Sequence, residues 1–270
     1  MSCFQFDYGI GVARFVHFFN YPKGVSVEGG EKWYFGTHVP QVKKLPGTVR
    51  YKTWKGLPPI PMGTPDPYDR FVRMSELVFD NLELCLKGTT RNPKLWASAP
   101  EGKPGFNEFE CVILDEKPQY DMVKDVPVQQ YKYIPTPPNY VGGAPEYDDE
   151  GDSFMDIYMF NYRVPTIDGE DWYLGHHVRE GRRVKQMGMC HYQTWKTIKV
   201  PDEPGSSINP NRFYRITELG LPASYKTPRK PQPGEPPRGR LVFTRSPMGN
   251  VLGDWRNILI DPFNPQDLMK

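Results

Sequence analysis

The sequence predicts an α+β fold built from two copies of one β-α-β-β-α-β unit. The first observation behind this prediction is a set of segments that recur in order along the 270 residues. WYFGTHV (33–39) is matched by WYLGHHV (172–178), and YKTWK (51–55) by YQTWK (192–196). Two more pairs, FFNY with MFNY and DRFVRMSEL with NRFYRITEL, keep this order, and the four spacings are 139 to 142 residues. Ordered matches at nearly constant spacing indicate an internal duplication.

The second observation is the pattern inside the first copy. Alternating β-branched and aromatic residues predict strands, and apolar residues at helical spacing predict helices. The predicted elements are a strand at 11–21, a helix at 31–45, strands at 48–56 and 69–79, a helix at 80–88 and a strand at 107–116. Pro40 should kink or restart the first helix, and we expect Asp80 to cap the second. This is the order of the ferredoxin-like split β-α-β arrangement.

The second copy repeats most of this order. Its predicted elements are strands at 153–162, 188–197, 210–219 and 239–245 and a helix at 170–187. The segment 222–240 is too rich in proline to form the second helix. We therefore divide the chain into a first repeat at 1–131, a linker at 132–151, and a second repeat with a C-terminal tail at 152–270. The tail is expected to pack across a neighbouring surface.

A four-stranded sheet with helices on one face leaves its other face bare, and an apolar bare face must be covered. We therefore expect the two ferredoxin-like repeats to pair these faces as an intramolecular α+β barrel. The space enclosed between the sheets is then the predicted ligand cavity.

Composition excludes several classes of function. The chain has 34 lysines and arginines against 32 aspartates and glutamates, a net charge of +2. Nucleic acids and anionic membranes bind clustered positive charge, so we expect neither as a partner. No apolar run has membrane-spanning length and no signal peptide is recognisable, so we expect a cytoplasmic protein. The four cysteines lack zinc-site spacing, and no metal site is predicted.

One segment resembles a known family. GTHVPQVKKLPGTVRY (36–51) resembles the helix-to-strand signature of EthD-type proteins of the dimeric α+β barrel superfamily. The match is partial in the second repeat, where the proline after the histidine is absent and two residues are inserted. The resemblance implies the barrel. It does not fix the chemistry, because the superfamily includes cofactor-free isomerases, cyclases, lyases and oxygenases as well as haem enzymes.

The first strand of each repeat has one mostly aliphatic face and one aromatic face with ionisable groups. We assign the aliphatic face to the helices and the aromatic face to the ligand cavity. The side chains predicted to face the cavity are His17, Phe19, Tyr21, Asp156, Tyr158 and Tyr162. On the second strand of each repeat, we expect the inward face to be the one that carries Arg50, Trp54, His191 and Trp195.

Positions where the copies differ are the best candidates for chemistry, because a duplicated barrel can keep one active cavity. The predicted catalytic residues are His17, Asp156, Tyr158 and His176. His17 could act as a general base and Tyr158 as a general acid. The paired His38 and His177 occupy equivalent positions, which favours a structural role.

These observations predict a cofactor-independent lyase or isomerase that acts on an aromatic, phenolic small molecule. It would use histidine and tyrosine as acid and base, and release a fragment such as an aldehyde or water. A homodimer is expected. An oxygenase of the same fold, cofactor-free or haem-bound, and a non-catalytic protein that binds an aromatic ligand remain alternatives.

Overall fold

A computed structural model describes residues 11–58, 71–121, 153–177, 191–222 and 251–270. The first repeat contains β1 (Ala13–Asn20), α1 (Val27–Trp33), a π-helical turn (Tyr34–His38), α2 (Val39–Val42), β2 (Thr48–Lys55), β3 (Arg73–Phe79), α3 (Leu82–Gly88), β4 (Asn107–Asp115) and β5 (Tyr120–Asp121). The second contains β6 (Ser153–Tyr162), α4 (Thr166–Trp172), a π-helical turn (Tyr173–His177), β7 (His191–Lys196), β8 (Arg215–Pro222), β9 (Leu252–Ile260) and β10 (Gln266–Asp267).

Both repeats have the same antiparallel sheet. The first sheet has the order β10-β2-β3-β1-β4 and the second the order β5-β7-β8-β6-β9. Without the short edge strands β10 and β5, each order is that of a ferredoxin-like sheet. The predicted fold class is therefore confirmed.

The short edge strands are exchanged between the repeats. β5 follows the first repeat along the chain and pairs with β7 of the second sheet, with Tyr120 opposite Thr194. β10 follows the second repeat and pairs with β2 of the first sheet, with Gln266 opposite Thr53. Each repeat thus adds a strand to the sheet of the other.

The two sheets close into a barrel through backbone hydrogen bonds at both seams. Leu57 N donates to Leu259 O at 2.7 Å, and Ile198 N donates to Ile113 O at 2.8 Å. The barrel interior holds one apolar cluster with side chains from both sheets, among them Val16, Phe18, Met74, Val112, Ile157, Met159, Ile216 and Ile258. Burial of this cluster joins the repeats into one unit.

Several predicted boundaries need correction. The fourth strand of the second repeat is β9, within the segment we had assigned to the tail, and the strand predicted at 239–245 lies outside the described residues. The cap of α3 is Asn81, whose side chain accepts from Leu84 N at 2.9 Å, and not Asp80. The first helix begins at Val27, four residues earlier than predicted, because Ser26 caps it by accepting from Gly29 N at 3.1 Å.

The first helix changes to a π-helical turn before Pro40, and the proline then begins α2. This confirms that Pro40 restarts the helix. Proline is not the sole cause of the turn, because the second repeat has an equivalent turn at Tyr173–His177 and Arg179 at the proline position. Each turn stacks its tyrosine on its histidine, Tyr34 on His38 at 5.5 Å and Tyr173 on His177 at 5.4 Å between ring centroids.

The two faces of the first strand are the reverse of our prediction. Val16 and Phe18, from the mostly aliphatic face, point toward the other sheet, while Phe15 and Phe19 pack with residues of α2 and α3. Period-two alternation separates the faces correctly, but both are buried here, so polarity could not identify the helix side. We call the face toward the helices the helix face of each sheet, and the opposite one the inner face. For the second strand the prediction is confirmed, since Trp54 and Trp195 pack in the barrel interior.

Candidate functional site

The predicted site residues lie on two opposite faces and in two repeats, so they do not form one cavity. The helix face of the first sheet carries His17, Phe19 and Tyr21, that of the second carries Asp156, Tyr158 and Tyr162, and the inner faces carry Arg50, Trp54, His191 and Trp195. The backbone of His176 lies in the second π-helical turn, and its side chain lies outside the described residues. The helix face of the second sheet brings together Asp156 and Tyr158, two of the predicted catalytic residues.

Asp156 is the acidic group of this face. It lies on β6 opposite Leu259 of β9 and is 5% exposed. Asn257, also on β9, donates from Nδ2 to Asp156 Oδ1 at 3.0 Å. Burial raises the pKa of Asp156 to about 7, although the hydrogen bond from Asn257 opposes the shift. A carboxyl group with such a pKa can both accept and release a proton near neutral pH.

Asn257 has a second polar atom in the site. Its Oδ1 is buried and has no hydrogen-bond partner among the described residues. An unpartnered buried acceptor is costly, and native structures seldom keep one without a ligand or water to satisfy it. The asparagine therefore orients Asp156 with one end and offers an acceptor with the other.

Tyr158 supplies a flat aromatic surface on the same face of β6 as Asp156. Its ring stacks on Trp255 of β9, with 4.6 Å between centroids and 9° between planes. Its hydroxyl lies 3.5 Å from that of Tyr173 and also interacts with that of Tyr192. Burial, then the neighbouring tyrosines, raises the pKa of Tyr158, and burial also raises the pKa of Tyr192. The hydroxyls of Tyr158 and Tyr192 therefore keep their protons at neutral pH.

A buried arginine anchors the first helix of each repeat. In the second, Arg215 pairs with Glu170 of α4, and Tyr162 donates to the same glutamate at 2.5 Å. In the first, the corresponding residues are Arg73, Glu31 and Tyr21. The hydroxyls of Tyr21 and Tyr162, predicted to bind substrate, are thus already engaged. Because both repeats keep this network, it holds the helices on the sheets.

The helix face of the first sheet is a closed aromatic cluster around His17. The imidazole is fully buried, and neither ring nitrogen has a hydrogen-bond partner among the described residues. It contacts the rings of Phe15, Phe19, Trp96, Phe106 and Phe109. Burial, and then the nearby His38, lowers the pKa of His17 well below its usual range. The general base that we predicted at His17 is therefore not supported: His17 is a neutral core histidine on the first sheet, whereas Asp156 lies on the second sheet.

The inner faces carry a charge cluster that joins the repeats. Arg14 of β1 pairs with Glu76 of β3 and donates to Glu218 of β8 at 3.2 Å. Arg50 donates to Glu76 at 3.0 Å, and His191 lies 3.2 Å from Glu218. Arg50, which we expected on the inward face beside a ligand, has its guanidinium paired with Glu76.

Sequence reasoning missed four members of the site on the second helix face. They are Tyr173, Tyr192, Trp255 and Asn257. Tyr173 and Tyr192 stand inside the repeated segments WYLGHHV and YQTWK and are identical in both copies, whereas our search for chemistry was restricted to positions where the copies differ. Trp255 and Asn257 alternate along the tail, and that alternation was the available signal for a strand.

Within the described ranges, no group of three or more histidine, cysteine, aspartate or glutamate side chains is placed to hold a metal ion. Among the same residues, no helix is long and apolar enough to cross a membrane.

The fold is shared with a solved structure of very different sequence. An anthrone oxidase-like protein superimposes with a TM-score of 0.51 at 11% identity, covering 96% of this chain and 94% of that chain. A chlorite dismutase from Candidatus Nitrospira defluvii, solved with imidazole, gives a TM-score of 0.44 at 10% identity, with 94% and 93% covered. No protein-family model and no curated protein sequence matches the chain. At these identities the likeness concerns the fold alone, and the chain is an α+β barrel of two ferredoxin-like repeats.

Proposed function

We propose that this protein is an enzyme, a cofactor-independent lyase or isomerase that acts on an aromatic, phenolic small molecule at the helix face of the second sheet. The observation that carries the proposal is the buried pair of Asp156 and Asn257, which lies beside the stacked rings of Tyr158 and Trp255. Buried acids with strongly raised pKa values are concentrated at active sites.

Asp156 is the proton-transfer group in this proposal. In the lyase outcome, its carboxylate takes the phenolic proton of the substrate, and the electron pair freed from the O–H bond moves through the ring and expels a leaving oxygen from the adjacent side chain with its own bonding pair. A quinone methide remains, and the protonated Asp156 gives its proton to the departing oxygen. In the isomerase outcome no group leaves: Asp156 removes a proton from carbon, an enolate forms, and Asp156 returns the proton to a different carbon.

Tyr158 and Trp255 bind the substrate ring. Offset-stacked aromatic pairs are worth about 0.5–1.5 kcal/mol beyond their buried area. Trp255 is partly exposed whereas Tyr158 is fully buried, so a planar ligand can meet the tryptophan first. The tyrosine hydroxyls then hold the oxygen of the ligand close to Asp156.

The first experiment is a thermal-shift screen against lignin-type phenolics, aromatic acids and polyketide fragments, with product analysis of each ligand that stabilises the protein. A ligand at 100 times its dissociation constant stabilises by about 2.7 kcal/mol. A stabilising ligand that is also consumed supports the enzyme. A ligand that is bound but never converted favours a binding protein instead.

The mechanism is tested by Asp156→Asn, which keeps the shape but removes the titrating group. We expect kcat to fall by about 10²–10⁴-fold while the folded structure is retained. The matched control is Asp115→Asn at the exposed end of β4, which should leave kcat unchanged. Unchanged turnover in Asp156→Asn would contradict the mechanism.

Two further parts of the proposal have direct tests. A Soret band in the visible absorption spectrum of the purified protein would contradict the cofactor-independent reaction and favour a haem-dependent oxygenase.

We also propose that the chain forms a homodimer and that its repeats are 1–131 and 152–270, joined by a linker at 132–151. Elution at the monomer mass in gel filtration would contradict the dimer.

A further inference from the structure

Three buried ring nitrogens on the helix face of the first sheet have no hydrogen-bond partner in the part of the chain that the structure describes. They are Nδ1 and Nε2 of His17 and Nε2 of His38. The two histidines are 0% and 1% exposed, so solvent does not satisfy these atoms. Native structures seldom leave a buried polar atom unsatisfied, because its lost hydrogen bond to water is not replaced. His17 is the extreme case, since these two nitrogens are the only polar atoms of its side chain.

The two imidazoles lie in the same aromatic cluster. Both contact Trp96, with 5.2 Å for His17 and 5.1 Å for His38 between ring centroids. Both also contact Phe106, at 6.4 Å and 4.6 Å. A charge on His38 would lower the pKa of His17, which agrees with this proximity. The three unsatisfied nitrogens are thus gathered around the same two aromatic rings.

Burial determines which hydrogen bonds these nitrogens offer. It lowers the pKa of His17 well below its usual range and the pKa of His38 to about 3, so both rings are neutral at physiological pH. A neutral imidazole donates from one nitrogen and accepts at the other. His17 therefore offers one donor and one acceptor. A hydroxyl group also donates and accepts, and is the smallest group that matches both.

The surroundings favour a neutral ligand over a charged one. The cluster contains apolar and aromatic side chains and the thiols of Cys85 and Cys111, which burial keeps protonated by raising their pKa values. The guanidinium of Arg73 borders the cluster, 5.6 Å from the ring of Tyr34, but it is paired with Glu31. A buried charge without a partner costs far more than a neutral polar group. Carboxylate and ammonium groups are therefore disfavoured here.

We propose that the helix face of the first sheet is a second binding site, which takes a small neutral molecule with a hydroxyl group and hydrogen bonds that group to His17 and His38. The flat rings of Trp96 and Phe106 suit an aromatic body for this molecule. The inference does not rest on the proposed function, because it concerns the other sheet and uses no residue of the Asp156 site.

The entry route to this second site is the loop at 197–214, between β7 and β8. Val200 and Ile208 of this loop belong to the aromatic cluster, so the second repeat covers the helix face of the first. One contact that holds the loop is the ion pair of Glu203 with Arg91, 2.5 Å apart at the protein surface. Surface ion pairs contribute little to stability, whereas the sheets are held by backbone ladders. The loop therefore moves aside while the barrel stays folded.

The test observes the histidines directly, by nitrogen-15 NMR of protein labelled in its five histidines at pH 8. Substitution of each histidine in turn assigns the signals. Phenol is the probe, and toluene, of similar size but without a hydroxyl group, is its control. We expect phenol to shift the ring-nitrogen signals of both His17 and His38, and to bind there at least about tenfold more tightly than toluene. Unchanged signals in saturating phenol, the result of a buried water alone, overturn the proposal, and so does equally tight binding of toluene.

His17→Phe keeps a ring at this position and removes both of its nitrogens. We expect phenol binding, measured at the His38 signal, to weaken at least about tenfold. The matched control is Tyr158→Phe, at the equivalent position of the second repeat, which should leave this affinity unchanged. An unchanged affinity in His17→Phe overturns the proposal. Circular dichroism verifies that both variants are folded, and the comparison of phenol with toluene tests the unmodified protein without either variant.

Asp156→Asn separates the second site from the proposed active site. We expect the response of His17 and His38 to phenol to be the same in this variant as in the unmodified protein. Loss of that response would show that phenol acts through the second sheet, which overturns the proposal. Loss of turnover with an unchanged histidine response supports both the proposed function and the second site.

Discussion

The two helix faces have the same backbone and the same anchoring network but different interiors. In the first repeat, Phe15 of β1 and Cys111, which lies opposite His17 on β4, belong to an apolar cluster. In the second repeat, Asp156 and Asn257 occupy these two positions and hydrogen bond to each other. The comparison teaches that the duplicated fold keeps its scaffold in both copies and places a buried carboxyl group on the helix face of one.

The scaffold itself should respond equally in both copies, and this is the largest effect we expect. Arg215→Met leaves Glu170 without its partner, and Arg73→Met does the same to Glu31. Removing one member of a buried ion pair costs about 3–5 kcal/mol. Urea unfolding should show losses of similar size for the two variants. A loss in one variant only would contradict the equivalence of the two networks.

The interiors should give pH dependences of opposite sign. Burial raises the pKa of Asp156 to about 7, so its contribution to stability is complete below its unfolded pKa of about 3.9 and is lost as the pH rises through the folded value. An asparagine at this position cannot ionise, so Asp156→Asn removes the fall in stability that ionisation of the buried carboxyl group causes as the pH rises. Relative to the unmodified protein, the variant should gain up to about 4 kcal/mol of unfolding free energy between pH 4 and pH 8.

Burial lowers the pKa of His38 in the first repeat to about 3. Its contribution is complete above the unfolded pKa of about 6.5 and is lost as the pH falls toward the folded value. His38→Leu should therefore reduce the acid loss and leave the alkaline side unchanged. Chemical unfolding of the two variants at several pH values measures the unfolding free energy on both the acid and the alkaline side. If both substitutions changed stability on the same side, the opposite pH dependences would be refuted.

A smaller effect is expected where each first helix lies directly on a tyrosine. A Cβ added at Gly30 would overlap the ring of Tyr21, and one added at Gly169 would overlap the ring of Tyr162. Alanine favours a helix over glycine, but overpacking costs about 1–3 kcal/mol. Gly30→Ala and Gly169→Ala should both lower the melting temperature. An increase in either would show that the helix can move away from the sheet.

The sequence predicted the strands well because their alternation and recurrence are local properties. β1, β2 and β6 lie within one or two residues of the predicted bounds where the structure describes them. The fourth strand of the second repeat was missed because the segment of β9 has no repeated counterpart motif in the first copy. Asn81 and Asp80 are adjacent residues with the same capping chemistry, so the sequence could not separate them.

The site was predicted only in part, for a physical reason. Alternation along β6 places Asp156 and Tyr158 on one face, but both faces of this strand are buried, one by helices and one by the other sheet. Whether the helices or the other sheet bury a given face depends on residues distant in sequence. Asn257 enters through such a long-range pairing, so no local pattern linked it to Asp156.

The exchanged edge strands carry one more consequence, for the history of the chain. β5 and β10 follow β4 and β9 at nearly equal distances and pair with equivalent strands, as the tails of two identical subunits would do on swapping. In a dimer of identical single-repeat subunits, every substitution in the gene appears in both subunits. Once both halves are encoded in tandem, each can acquire substitutions alone. One half could then become an aromatic core while the other kept a carboxyl group.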